Sequence, residues 1–263
     1  MPNSMVAERP EVSSPRQSTE LRSSRTRTPY GLPIEDDCRS CRVRSTEFFC
    51  GFSEPSRAAL RPIMHVSTYP EGALIVMEGE AARGIHLLCQ GRAKLLTTNS
   101  DGKTFILKIA NAGEVIGLNP ILTGMPYDIT VETLQPCQLA FIPRDEFLKF
   151  IKEHSDASFQ VAQHLGRDCQ MAYDVIRSIG LSNSAAEKLA RFLVEWAGDG
   201  RPSDGVVRVK LALTHEEMAQ LIGCSRETVS RTLSEFKRQR LVEVNGATLV
   251  VRDLEALEDL AAN

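Results

Sequence analysis

Residues 212–252, ALTHEEMAQLIGCSRETVSRTLSEFKRQRLVEVNGATLVVR, constrain this chain more than any other stretch. Thr214 and Glu217 form a T-x-x-E capping box, which predicts a helix from His215. Met218, Ala219 and Ile222 give that helix an apolar face. Gly223 breaks it with a tight turn, and Ser225 caps a second helix. Val229, Leu233 and Phe236 form the second helix's buried stripe, at steps of four and three. Leu241–Val244, Asn245-Gly246 and Thr248–Val251 then read as a two-stranded wing with a strong turn dipeptide.

Helix, turn, helix and wing together place one helix in the major groove of double-stranded DNA. Arg226, Glu227, Ser230 and Arg231 lie mainly away from the buried stripe, and Thr228 stands among them. Arg can bond guanine O6 and N7 together, and Glu can accept from cytosine N4. Lys237, Arg238 and Arg240 follow and suit phosphates, which position a protein without reading sequence. The bland alternative is a small helical subdomain with a solvated charged face. Cap, turn, polar face and wing all agree on the DNA reading.

The 263 residues carry a formal net charge of −3, so the basic footprint for nucleic acid is local, at Arg226–Arg240. No stretch approaches the ~20 apolar residues of a membrane helix. Residues 1–30 lack an apolar signal core and are rich in Ser, Thr, Pro and Arg, which predicts a disordered tail, with Met5 as an alternative start. The expectation is a cytoplasmic protein whose seven cysteines are thiols or metal ligands rather than a disulfide framework.

Residues 66–143 alternate short strands with turns. Examples of the strands are Ala73–Met77, Gly84–Cys89, Ala93–Thr97, Phe105–Ile109 and Gln138–Ile142. The pattern predicts an antiparallel barrel or roll. From Ser155 a long helix runs to about Leu181. Ala162, Leu165, Cys169, Ala172, Ile176 and Ile179 step by three and four along it, the stripe of a helix that pairs with its own copy. Packing of that helix on its own roll is the alternative. Ser182-Asn183-Ser184 interrupts the pattern and forms the natural hinge. A two-fold dimer implies an inverted-repeat target. The organisation is therefore a tail at 1–30, a cysteine-containing segment with N-terminal helices at 31–65, a sensor-like roll at 66–154, a dimerisation helix at 155–182 and a DNA-binding domain at 183–263.

GCSRETVSR followed by a short wing resembles the C-terminal domain of the Crp/Fnr superfamily of bacterial transcription regulators, and the resemblance covers roughly residues 50–261. It implies an α+β fold: a cyclic-nucleotide-binding-like β-roll, a long dimerisation helix and a C-terminal winged helix-turn-helix. It assigns Arg226, Glu227 and Arg231 to a TGA-containing half-site, and Ser230 matches the serine of the Fnr-like branch. DNA binding near a promoter would recruit or block RNA polymerase, which is the expected further partner. The resemblance departs at the ligand. Nucleotide-binding members carry a Glu where Leu118 stands, and an Arg-Ser pair where Tyr127-Asp128 stands. A carboxylate repels phosphate and Leu cannot accept a hydroxyl proton, so no cyclic nucleotide is expected.

Cys38-x2-Cys41-x8-Cys50 is the second notable motif. Close thiolates can bind zinc or an iron–sulfur cluster. The Fnr branch holds a cluster with N-terminal cysteines and one further Cys from the β-roll, which this sequence resembles with a longer second gap. Cys137 is the candidate fourth ligand near that strand, although the family's Cys aligns with Ala140, on the opposite strand face. Cys89 is the other roll candidate, and Cys137 and Cys89 also suit small core residues. Thiol redox chemistry without metal stays open. So do two other functions: a constitutive or small-ligand-controlled DNA binder with a structural roll, and an enzyme. The five histidines show no metal-ligand spacing and no Gly-rich phosphate loop occurs, which argues against an enzyme.

Overall fold

Alternation along a few short strands organises the N-terminal half. The computed structural model describes residues 30–32, 48–180, 184–198, 200–203 and 206–262, with positions 50, 174–180 and 201–203 described in backbone alone. A 3-10 turn at Phe48–Gly51 leads into α1 (Glu54–Leu60), then β1 (His65–Tyr69), β2 (Leu74–Val76), β3 (Gly84–Gln90), β4 (Arg92–Thr98), β5 (Thr104–Asn111) and β6 (Val115–Ile116). After α2 (Leu118–Thr123) come β7 (Thr130–Thr133) and β8 (Cys137–Pro143). They form two four-stranded sheets of order β1-β8-β3-β6 and β2-β7-β4-β5, with every pairing antiparallel. This is the expected roll, with β1, β6 and β7 added to the strands read from the sequence.

Successive side chains of a strand face opposite ways. On β3, Leu88 turns inward to meet Ile116, Tyr127, Val131, Cys137 and Leu139 in the core between the sheets. Ile85 and Leu87 turn outward to a second core, which Ala140 and Ile142 of β8 share with Phe48, Phe49, Phe52, Phe147 and Phe150. Two helices cover that outer face: α3 (Arg144–Glu153) and the start of α4 (Ser155–Gly180). Asp156 ties α4 to α1, accepting from the Ser53 N–H at 2.8 Å and from the Ser56 hydroxyl at 2.7 Å.

The long helix carries two apolar faces. Ala157, Val161 and the half-buried Leu165 pack into the outer core of the roll. Phe159, Ala162, Gly166, Cys169 and Tyr173 step by three and four along the exposed face, with Phe159 63% and Tyr173 58% exposed. The stripe expected from the sequence mixed the two: Leu165 belongs to the protomer's own core, Ala162, Cys169 and Ala172 are exposed, and Ile176 and Ile179 have no described side chains. The proposed hinge at 182–184 has only Ser184 among the described residues.

Beyond it, Ser184 and Glu187 form a capping box that starts α5 (Ala185–Ala197). Then follow β9 (Arg201–Ser203), β10 (Val206–Lys210), α6 (His215–Ile222), α7 (Arg226–Arg238), β11 (Val242–Asn245), β12 (Thr248–Val251) and α8 (Leu254–Ala262). The two strands expected for the wing, β11 and β12, pair as an antiparallel hairpin and belong to a four-stranded sheet of order β11-β12-β10-β9. Leu189, Phe192, Leu193 and Trp196 of α5 share one core with Met218, Val229, Leu233 and Phe236. Leu134 of the roll is buried in that same core. The two halves thus meet: the Arg92 guanidinium lies 4.2 Å over the Trp196 ring, and the Lys94 ammonium lies 2.8 Å from Glu217.

Candidate nucleic-acid interface

Local chemistry builds the helix-turn-helix as expected. The Thr214 side chain accepts from the Glu217 N–H at 3.2 Å, and Glu217 accepts from the Thr214 N–H at 2.9 Å. Gly223 ends α6 in the left-handed region with φ 68, where a side chain would be strained. Ser225 accepts from the Thr228 N–H at 3.2 Å and starts α7. Val229, Leu233 and Phe236 are buried as predicted.

Outside that stripe, Arg226, Glu227, Arg231 and Lys237 are exposed and Ser230 is half-exposed. Among the described residues, the side chains of Arg231 and Lys237 hold no ion pair or hydrogen bond. The Glu227 carboxyl is held below its ordinary range by its own backbone N–H and by the Ser225 hydroxyl. It therefore stays an anionic acceptor at neutral pH. Thr228 lies to the flank, with Oγ1 3.0 Å from Ser225 Oγ, so its hydroxyl serves the cap. Arg238, expected on phosphate, is tied to Glu235 by two bonds of 3.0 and 2.8 Å. Arg240 adopts φ 62, a left-handed conformation that disfavours side chains, just past the end of α7.

Two contacts escaped the sequence. Arg252 grips Glu243 with two bonds of 3.1 and 3.0 Å across β11 and β12. His215 Nδ1 lies 2.8 Å from Ser230 Oγ. The hairpin loop is Gly246-Ala247 rather than Asn245-Gly246, with Asn245 opposite Thr248. Gly246, with φ 59, stands first in that loop, as in a Gly-X two-residue turn.

This arrangement of a roll, a long helix and a winged reading head has close matches. A sequence model of the cyclic nucleotide-binding domain matches residues 66–154, and one of the Crp-like helix-turn-helix domain matches residues 187–260. The chain belongs to the Crp/Fnr superfamily. This Crp/Fnr protein is a DNA-binding transcription regulator and not an enzyme. Regulators of the superfamily act as dimers. It is 29% identical over 203 residues to the transcriptional activatory protein AadR of Rhodopseudomonas palustris, covering 77% of this chain and 83% of the relative. It is 26% identical over 188 residues to the cAMP-activated global transcriptional regulator CRP of Escherichia coli, covering 71% of this chain and 89% of the relative. In fold it is similar to FixK2 from Bradyrhizobium japonicum, with a TM-score of 0.68 and 22% identity, covering 76% of this chain and 98% of that one.

Leu118, Tyr127 and Asp128, which the resemblance matches to nucleotide contacts, lie within residues 66–154. Leu118 is 3% exposed and turns outward into the helix-covered core. Tyr127 is buried between the sheets, and its hydroxyl donates to the Gly84 carbonyl at 2.8 Å. A Cβ on Gly117 would lie only 2.9 Å from the Tyr127 ring. Asp128 is exposed.

Of the cysteines, Cys38 and Cys41 lie outside the described residues, and Cys50 has no described side chain. Cys137, the candidate fourth ligand, faces the core between the sheets, away from the N-terminal phenylalanines. Its thiol is fully buried, 3.1 Å from the Gln135 carbonyl and 3.3 Å from the Arg92 carbonyl. Burial pushes it up to about 11. That placement puts the Cys137 thiol on the opposite face of the sheet from the core that holds Phe48, Phe49 and Phe52. Cys89 packs on the other face of the same sheet, in the core that holds Phe48, Phe49 and Phe52. Among the described residues no cluster of metal-ligating side chains occurs, and no helix is long and apolar enough to cross a membrane.

Proposed function

We propose that this regulator works as a homodimer on an inverted repeat with a TGA-containing half-site. Arg226, Glu227, Ser230 and Arg231 read bases, and Lys237 holds phosphate. The observation that carries this reading is the exposed polar face of α7, whose Arg231 and Lys237 side chains have no protein partner among the described residues. Exposed arginines beside a capped helix start suit guanine, and the matching family motif supports the half-site. On a promoter the bound dimer would recruit or block RNA polymerase.

Its DNA affinity follows a signal at the N-terminal cysteines Cys38, Cys41 and Cys50, through an iron–sulfur cluster or thiol redox chemistry, and not a cyclic nucleotide. The second half of that statement is supported by Tyr127, which fills the place beside Gly117 and Gly84, and by the outward-facing Leu118. The same filled roll favours a second reading, a constitutive or small-ligand-controlled regulator with a structural roll. Unchanged DNA affinity on exposure to oxygen or a chelator would favour that second reading.

The test is in vitro selection of binding sites from random duplexes by the anaerobically purified full chain and by Arg231→Ala. The wild type should recover an inverted repeat. Arg231→Ala should lose it, since one bidentate base contact is worth about 1–3 kcal/mol per half-site. An unchanged selected site in the variant would overturn the assignment.

A further inference from the structure

Ser230 does not do what a serine inside a helix commonly does. Such hydroxyls often bond back to the carbonyl one turn earlier. Ser234 follows that habit and donates to the Ser230 carbonyl at 2.8 Å. The Ser230 hydroxyl instead meets His215 Nδ1 at 2.8 Å, from the first position of α6, fifteen residues earlier. Both side chains are half-buried. His215 follows the Thr214 cap directly, and the reciprocal bonds of Thr214 and Glu217 fix the backbone there. The imidazole is thus held from one rigid helix end against the reading face of the next.

We infer that His215 is a positioning residue that sets how Ser230 reads its base. This rests on α7 being the base-reading helix. An imidazole nitrogen toward a hydroxyl either accepts its proton or donates one. Either bond selects one Ser230 rotamer and leaves the hydroxyl a single complementary role. If Ser230 donates to His215, its lone pairs face the groove and suit the amino groups of adenine or cytosine. If it accepts, its proton faces the groove and suits guanine O6 and N7 or thymine O4. A serine rotating freely could serve all four bases and would discriminate poorly. His215 therefore converts a permissive side chain into a selective one without touching the base.

The experiment is the same site selection, run with the full chain as wild type, Ser230→Ala, His215→Leu, the double variant and His215→Asn. The wild type should prefer one class of base, amino-bearing or carbonyl-bearing, by about tenfold per half-site, at a position next to the core read by Arg231. Ser230→Ala and His215→Leu should each relax that position alone. The double variant should do no more than either, because the two residues act as one unit. His215→Asn, whose amide can place a hydrogen-bonding atom where Nδ1 sits, should restore the preference. Wild-type preference in His215→Leu, additive losses in the double variant, or an equal loss on all sequences would each overturn the positioning role. Failure of the underlying reading looks different: the Arg231-dependent core itself would be missing from the wild-type site.

Discussion

The Lys94 ammonium lies 2.8 Å from Glu217 Oε1 on α6 and 3.1 Å from Glu132 Oε1 on β7, so one nearly buried cation joins the roll to the first helix of the reading head. Burial works against its charge, but the bonds to Glu217 and Glu132 outweigh burial and hold Lys94 above the usual lysine range. Lys94 is only 12% exposed and Glu217 18%, so solvent screens the pair weakly. Removing one partner leaves the others poorly solvated. Lys94→Met should therefore lower stability by about 1–3 kcal/mol, the range for leaving a buried hydrogen-bonding group without its partner. Urea unfolding should show this, with the head transition separating from that of the roll. An unchanged single transition would mean that the apolar contacts of Leu134 and Trp196 alone couple the halves.

The exposed stripe of α4 makes a second prediction. Phe159 stands 63% exposed in line with Ala162, Gly166, Cys169 and Tyr173. Small residues between two aromatics let a second helix approach closely, and the three–four stepping suits knobs-into-holes packing. Phe159→Glu should convert the dimer to monomer in analytical ultracentrifugation and reduce affinity for the inverted repeat far more than for a half-site. Leu165→Ala should instead keep the dimer and lower protomer stability by roughly 2 kcal/mol, the low end for a buried leucine. Dimerisation lost in Leu165→Ala but kept in Phe159→Glu would restore the stripe first read from the sequence.

What was legible in the sequence follows from the range of the interactions. The caps at Thr214 and Ser225, the glycine turn and the stripe of α7 are set within a few residues, and all stand where expected. The hairpin loop slipped by one residue because Asn-Gly and Gly-Ala both suit a two-residue turn, and only cross-strand pairing chooses between them. β9 is three residues with a central proline, which gives no strand signal. β1 is mostly exposed at the sheet edge and shows no apolar alternation. On α4 two apolar stripes of the same period interleave, and periodicity alone cannot say which meets the roll. His215–Ser230 and Lys94–Glu217 bridge 15 and 123 residues, and such pairs exist only once the elements have docked.

His86 points to an acid-sensitive core. It is 8% exposed on β3, with Phe141 5.0 Å away, and its Nδ1 has no hydrogen-bond partner among the described residues. Burial pushes it down from the ordinary 6.5 to about 4. Below pH 6.5 the unfolded chain takes up a proton that the folded chain refuses until about pH 4. Stability is therefore intact above the upper value and falls as pH drops through that window, by about 3 kcal/mol in all. His164, also lowered by burial, adds a slope of the same sign. Asp156 acts only in stronger acid, because the Ser53 N–H and Ser56 hydroxyl hold its carboxyl well below the usual range. His86→Leu should flatten the slope between pH 6.5 and 4 and leave the drop below it. An unaltered difference between the two proteins across that window would show that His86 is not the titrating group.

The cysteines make the last prediction, read by metal content rather than DNA binding. If Cys38, Cys41 and Cys50 hold a cluster with a fourth ligand from the roll, a thiol in the core of the N-terminal phenylalanines suits that ligand better than one between the sheets. Cys137 faces the other way, bonds two carbonyls and resists ionisation. Cys89 shares a core with Phe48, Phe49 and Phe52, and the register pairs its neighbour Leu87 with Ala140 on that same face. On the cluster reading, anaerobically purified wild type should contain iron and acid-labile sulfide, with a visible absorption band. Cys41→Ser should lose both, and Cys89→Ser should lose most of both. Cys137→Ser should keep full content and show only a modest loss of stability from the packed core. Zinc without sulfide would make the motif a structural clip. Neither metal in the wild type would refute a metal site and leave thiol redox chemistry as the remaining sensing role for these cysteines.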